Sequence, residues 1–283
     1  MKQTKGAIIP AETYHADPAY SASDIKVFHK ACPEVFYKYK YGDEAFEHPT
    51  AVKTAFRNGE LCHAFTLEPD RAKVAYGVCG KQNTKAGKIQ AEEMIAKGIE
   101  PITASEYDLA SNVANAVRKH SVAAKLLSGG QAELSFWNDD PKTGLSCKAR
   151  ADYINGDTLV DLKTTGEGGA EPDTFSRSVA RFLYHIQAAH YLEVTGAKKF
   201  VFVAVEKVFP FAVSVTELDA DALAFGLELR NQALQGISQC HTDSYWASYT
   251  EKITTISLPK WACLLYTSPS PRDRTRSRMP SSA

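Results

Sequence analysis

The chain has 283 residues, 44% of them hydrophobic and 23% charged, with 33 Lys and Arg against 33 Asp and Glu. Those values describe a protein with a sizeable core and exclude a disordered tail or a disulfide-stapled miniature. A membrane-spanning helix is excluded too, because the most apolar stretch, residues 199–215, is broken by Glu206, Lys207 and Pro210. In chain order, Ser23 is expected to cap a helix through Ile25, Val27 and Phe28, and Pro33 to open another with Val35, Phe36 and Tyr39. Apolar spacing at Val52, Phe56, Leu61 and Phe65 predicts a helix over 50–67, ended by Pro69. Residues 83–97 read as an exposed polar helix. Thr103-Ala-Ser-Glu106 is a capping box before Leu109, Val113 and Val117. Gly129 and Gly130 stop a short helix containing Leu126 and Leu127.

The period then changes from helix to strand. Residues 131–137, 146–154 and 158–164 alternate, and Asn155-Gly156 signals a hairpin between the last two. Helices over 172–182 and 183–195, strands over 199–206 and 211–215, and a helix over 219–238 complete the pattern. Helices, three strands, helix, two strands, helix suit an α/β domain with a mixed sheet.

The end of the chain has a different character. Cys263 to Ala283 is rich in Ser, Pro and Arg without apolar period, and it resembles a translated sequencing adapter. The single domain is therefore expected over 1–262, with a helical part at about 12–128, a core at about 131–240, and 263–283 as a foreign tail. Without the tail's four Arg and one Asp, the counts of 33 and 33 become 29 positive and 32 negative, a net of −3. The five remaining cysteines, 32, 62, 79, 147 and 240, contain no Cys-x-x-Cys pair. With no apolar run in Met1–Lys5 to act as a secretory signal, they read as reduced thiols of a cytoplasmic protein.

The hairpin carries the chemistry. A turn centred on Asn155-Gly156 sets Arg150 opposite Asp161, Lys148 opposite Lys163 and Asp152 opposite Leu159. Side chains alternate along a strand, so Lys148, Arg150, Asp152, Asp161 and Lys163 share one face. Asp152 and Asp161 become diagonal neighbours, about 7–8 Å apart. Two convergent carboxylates beside a lysine can hold a hard divalent cation and position a water. The same residues could instead form a salt-bridged face centred on Arg150–Asp161.

Asp152 followed by Asp161-Leu-Lys-Thr-Thr165 resembles the signature of the PD-(D/E)XK nucleases. Gln187-Ala-Ala-His-Tyr191 resembles the Q-x-x-x-Y motif of their RecB-like branch. Gly59-Glu-Leu-Cys-His63 with Leu67-Glu-Pro69, and Tyr14-His-Ala-Asp17 with Ser21-x-Ser23 and Pro33, resemble the RecE-type (exonuclease VIII-like) members. The resemblance covers about residues 12–240. It implies a restriction-endonuclease-like core, a mixed central sheet flanked by helices with a helical N-terminal region.

It also implies that Asp152, Asp161, the Leu162 carbonyl and His63 bind Mg²⁺ or Mn²⁺, while Lys163 orients or deprotonates the attacking water, a base role requiring surroundings that lower its pKa. Glu133, on the preceding strand, is a further candidate ligand. Gln187 and Tyr191 are expected to contact the DNA backbone near the cut, and Lys148, Arg150 and Arg181 to contact phosphates. The implied activity is ATP-independent 5′ to 3′ degradation of linear duplex DNA, leaving 3′ overhangs for a single-strand annealing protein. A tetrameric ring, a phage or prophage origin and a cytoplasmic location follow from the same resemblance, with neither membrane nor nucleotide cofactor. A net charge of −3 is compatible with DNA, because affinity follows the phosphates neutralised locally. Two rival readings are a catalytically silent DNA-binding or scaffold module of this fold and a restriction- or defence-type endonuclease. His120, His185, His190 and His241 read as structural, and Trp137 and Trp246 as core or edge aromatics.

Overall fold

A computed structural model describes residues 6–42, 50–80 and 83–259. The helical part opens with α1 (Ala11–Ala16), α2 (Ala22–Lys30), α3 (Pro33–Tyr41), α4 (Thr50–Leu67) and α5 (Pro69–Ala75). The cap of α2 is Ser21, not Ser23. Ser21 Oγ accepts from the Asp24 amide while the Asp24 carboxylate takes the Ser21 N–H, a complete capping box two residues earlier than expected. Pro69 ends α4 as expected but also opens α5, where its missing N–H costs nothing at the first helical position.

Next come β1 (Tyr76–Val78), α6 (Lys85–Ala96), β2 (Glu100–Ile102), α7 (Ala104–Lys119) and α8 (Ser121–Leu126). β1 and β2 form a small parallel pair that the sequence pattern did not reveal, because three residues are too few to show a period. The Thr103–Glu106 capping box forms as expected.

The main sheet consists of β3 (Gln131–Asp139), β4 (Ser146–Asn155), β5 (Thr158–Thr165), β6 (Lys199–Glu206) and β7 (Val213–Glu217), in that spatial order. Every pair is antiparallel except β5–β6. That parallel pair requires a crossover, supplied by α9 (Pro172–Phe182) and α10 (Tyr184–Thr195). The sheet is followed by α11 (Ala220–Asp243). Strand β6 is buried on both faces, which is why residues 200–205 read as an unbroken apolar run.

Two cores flank the sheet. One gathers Phe200 and Phe202 with Phe175, Ile186, Leu234 and Ile237 from α9, α10 and α11. The other gathers Val160, Leu162, Val203 and Val205 with Leu61, Val113 and Val117 from α4 and α7. A mixed sheet between helical layers is the expected architecture.

The N-terminal segment is stitched to the sheet's outer strands. Ala7 bridges to Ser135, and Tyr20 to Cys147. The compact unit runs to Trp246; residues 247–259, in a second unit, contain no helix or strand. The expected tail at 263–283 and its boundary lie outside the described residues. Among the described residues no helix is long and apolar enough to cross a membrane, and the five cysteines are free.

Candidate active site

The hairpin register differs from the expected one by two. Observed partners are Tyr153–Val160, Ile154–Leu159 and Asn155–Thr158, so the turn is centred on Gly156-Asp157. Gly156 has φ of 56°, which glycine adopts at no steric cost at the first central position of a tight hairpin. Moving the turn by one residue moves the register by two. Because side chains alternate with period 2, the face assignment survives while the partners change. Asp152 therefore lies level with Asp161, not with Leu159, and neither the Arg150–Asp161 pair nor the Lys148–Lys163 pair forms.

The paired register stops at Tyr153–Val160. Beyond it a side chain takes over the ladder, as Asp152 Oδ2 accepts the Leu162 N–H at 2.9 Å. Where β4 and β5 part, α4 brings His63 Nδ1 to 3.4 Å from the same Asp152 oxygen. On β5, Asp161 Oδ2 meets the Lys163 ammonium at 2.6 Å. Asp161 Oδ1 accepts from Gln187 Nε2 at 2.7 Å. Leu183, in a left-handed conformation with φ of 55°, separates α9 from α10 one turn before Gln187.

Electrostatics reflect this crowding. Burial raises the Asp152 carboxyl well above the usual range, and the Asp161 and Glu133 carboxylates add to it. Burial works to lower Lys163, but Asp161 and Asp152 outweigh it and the ammonium is held above its ordinary value. His63 is held low by burial and by the Lys163 charge, so it is neutral and able to donate a lone pair near pH 7. Asp161 Oδ2 is buried and lacks a well-angled hydrogen-bond donor.

This donor set of two carboxylates and a neutral imidazole fits a hard divalent cation, and the excess negative charge at Asp152 is what such a cation would relieve. The fit is one of donor type and charge. Among the described residues no three His, Cys, Asp or Glu side chains are gathered into a ready-made cage. Asp152, Asp161 and His63 would hold the ion. Glu133 is committed elsewhere, since Arg150 Nε donates to its Oε2 at 2.6 Å. Its φ of 55°, rare for a residue other than glycine, is a local strain where β3 passes β4.

A cleft of about 430 Å³ lies beside these groups, lined from α1, α2 and α3 by Tyr14, His15, Lys26 and Lys40, and from the sheet by Glu133, Arg150 and Asp152. Several expectations change here. Lys148 also lines the cleft, but it is 3% exposed and its ammonium donates to the carbonyls of Tyr14 and Asp17, both at 2.6 Å, so it is engaged in anchoring the N-terminal segment. Arg150 lines the cleft but is already paired with Glu133. Arg181 is exposed at the end of α9 against the Phe182 ring, outside the cleft lining. Gln187 is turned inward to Asp161 rather than toward a DNA backbone. Tyr191 lines the cleft and packs edge-on against Phe200.

Lys26 was missed. Its ammonium donates to Gln187 Oε1 at 3.1 Å, and burial together with Lys163 brings it down to about 7. No local pattern marks it, because its partners lie on α10. The four histidines read as structural make contacts within the fold. His120 caps α8, His190 bonds the Lys148 carbonyl, His185 stacks on Phe225, and His241 bonds Tyr20.

Residues 21–259 match the family described as a PDDEXK-like domain of unknown function (DUF3799). The chain belongs to that family. No curated protein matches this PDDEXK-like chain. Among solved structures, the Eubacterium rectale protein named "Putative exonuclease" aligns over 91% of this chain and 98% of its own, at 17% identity and a TM-score of 0.58. An alkaline exonuclease from Laribacter hongkongensis aligns over 65% of this chain and 95% of its own, at 16% identity and a TM-score of 0.32. A phage-related exonuclease from Haemophilus somnus covers the same shares at 11% identity and 0.32. The Eubacterium rectale likeness, at this identity, establishes the fold.

Proposed function

We propose that this PDDEXK-like domain is a metal-dependent exonuclease of the RecE type that hydrolyses phosphodiester bonds of linear duplex DNA. The observation that carries the reading is the convergence of Asp152, Asp161, Lys163 and His63 where β4 and β5 part, beside a cleft carrying Lys26, Lys40 and Arg150. A divalent ion, Mg²⁺ or Mn²⁺, supplies charge at the non-bridging oxygens and a nucleophilic water. Asp152 and Asp161 hold it, and His63 completes the donor set. Lys163, whose ammonium lies 2.6 Å from Asp161 Oδ2, acts as a donor to the phosphate and a guide for the water. Digestion from 5′ ends without ATP, 3′ overhangs handed to an annealing protein, a tetrameric ring around the duplex, and a cytoplasmic setting in a phage or prophage host belong to the same proposal. They rest on the motif resemblance.

The test uses linear and closed circular duplex DNA with Mg²⁺, comparing wild type with Asp161→Ala. Linear DNA should disappear only with metal, circles should persist, and Asp161→Ala should lose at least about a hundredfold in rate. Cutting of circles would favour the endonuclease reading. Binding of DNA without metal-dependent loss would favour the silent module.

A further inference from the structure

A glutamine amide has two ends of opposite character, an accepting oxygen and a donating NH₂. Gln187, 9% exposed, uses both within the site, donating to Asp161 and accepting from Lys26. A charged ammonium has only donors, so protonated Lys26 can face the amide oxygen and not the NH₂. Rotating the amide by half a turn would place NH₂ against the ammonium and the amide oxygen against the Asp161 carboxylate. Both contacts repel, and burial makes both costly. The Gln187-x-x-x-Tyr191 spacing alone leaves the amide free to point either way.

The lysine is itself held in place. Its ammonium lies 5.1 Å from the centre of the Tyr184 ring, which also carries Lys163 at 4.8 Å. Both ammonium groups thus share one aromatic platform, one serving Asp161 directly and the other through Gln187.

We propose that Lys26 is a positioning residue for the cation site: it locks the Gln187 amide so that NH₂ holds Asp161 Oδ1, leaving Oδ2 for Lys163 and the ion. The inference rests on the metal-dependent reading of the same site. Charge and orientation give effects of opposite sign, which makes the role measurable. Removing a cation beside a cation site tightens metal binding by Coulomb's law. Losing the group that orients a ligand loosens it, by about tenfold or more.

The experiment is a calorimetric titration of the full chain with Mn²⁺ in the absence of DNA. Lys26→Met, with no donor, should bind Mn²⁺ about tenfold more weakly than wild type. Lys26→Arg, which keeps the charge and has donors only, can still donate to Gln187 Oε1 and should stay close to wild type. Lys26→Met placed on Gln187→Leu should weaken binding no further. Unchanged or tighter binding in Lys26→Met, or an undiminished effect in the Gln187→Leu background, would overturn the proposal. If Lys26→Met fails to fold by circular dichroism, Lys26→Arg decides alone, and a tenfold loss there counts against the orienting role. A wild-type chain that binds no Mn²⁺ would sink the metal-dependent reading as well, whereas a binding wild type with an indifferent Lys26→Met sinks only this inference.

Discussion

Lys26 and Lys163 share one tyrosine ring yet are driven in opposite directions. Lys163 has the Asp161 carboxylate at 2.6 Å and Asp152 behind it, so its charge is favoured despite burial. Lys26 has a neutral amide for a partner, and burial together with the Lys163 charge brings it to about 7. His190 is a third buried group with a consequence for stability. It is fully buried, bonded to the Lys148 carbonyl, and pushed down to about 3 by burial and then by Arg230. The folded state keeps it neutral while the unfolded chain takes up a proton near pH 6.5, so the unfolded state binds more protons between those values. Its contribution is therefore present above about pH 6.5 and lost as pH falls toward 3, at up to about 1.4 kcal/mol per pH unit. Urea unfolding at pH 7, 6 and 5 should show this slope in wild type and a shallower one in His190→Gln. Equal slopes would mean that His190 is not buried in its neutral form.

At the level of elements, local chemistry predicted what local chemistry controls. The Thr103–Glu106 box, Pro33 at a helix start and the strand alternation of residues 131–165 all involve neighbours within a few positions, and all formed as read. The hairpin register was misread by two because Asn-Gly and Gly-Asp each offer a glycine to a tight turn, and packing of the whole sheet chooses between them. Two helical glycines show the same limit. A methyl group on Gly226 of α11 would drive into the His185 carbonyl at the start of α10, so the helices meet there through the missing side chain. On Gly59 of α4 a methyl group would stand 3.9 Å from Thr164 Oγ1, an ordinary contact. Gly226→Ala should cost about 1–3 kcal/mol. Gly59→Ala should be neutral or stabilising by up to about 1 kcal/mol through helix propensity. Urea midpoints of the two variants check both, and the sequence alone offers no reason to rank them.

Over the whole molecule, the cleft is where the fold concentrates charge it does not neutralise. Asp152, held well above its ordinary range by burial and by neighbouring carboxylates, works against the folded state as rising pH removes its proton. A divalent cation that binds the folded site offsets this. Mn²⁺ at about 100 times its dissociation constant should stabilise the folded chain by about 2.7 kcal/mol, visible as a rise of several degrees in melting temperature at pH 7. The rise should vanish in Asp152→Asn. A melting temperature indifferent to Mn²⁺ in wild type would mean that these donors do not close around an ion.

The sequence by itself determined the α/β architecture and the order of its main elements, since periodicity and caps are short-range properties, and its resemblance to the PD-(D/E)XK nucleases singled out Asp152, Asp161, Lys163 and His63. Tertiary structure alone decided which charges are free. Lys148 closes on the carbonyls of Tyr14 and Asp17, Arg150 on Glu133, and Lys26 reaches Gln187 across 161 residues of chain. A side chain's partner, and with it the fate of its charge, is set by where distant elements pack.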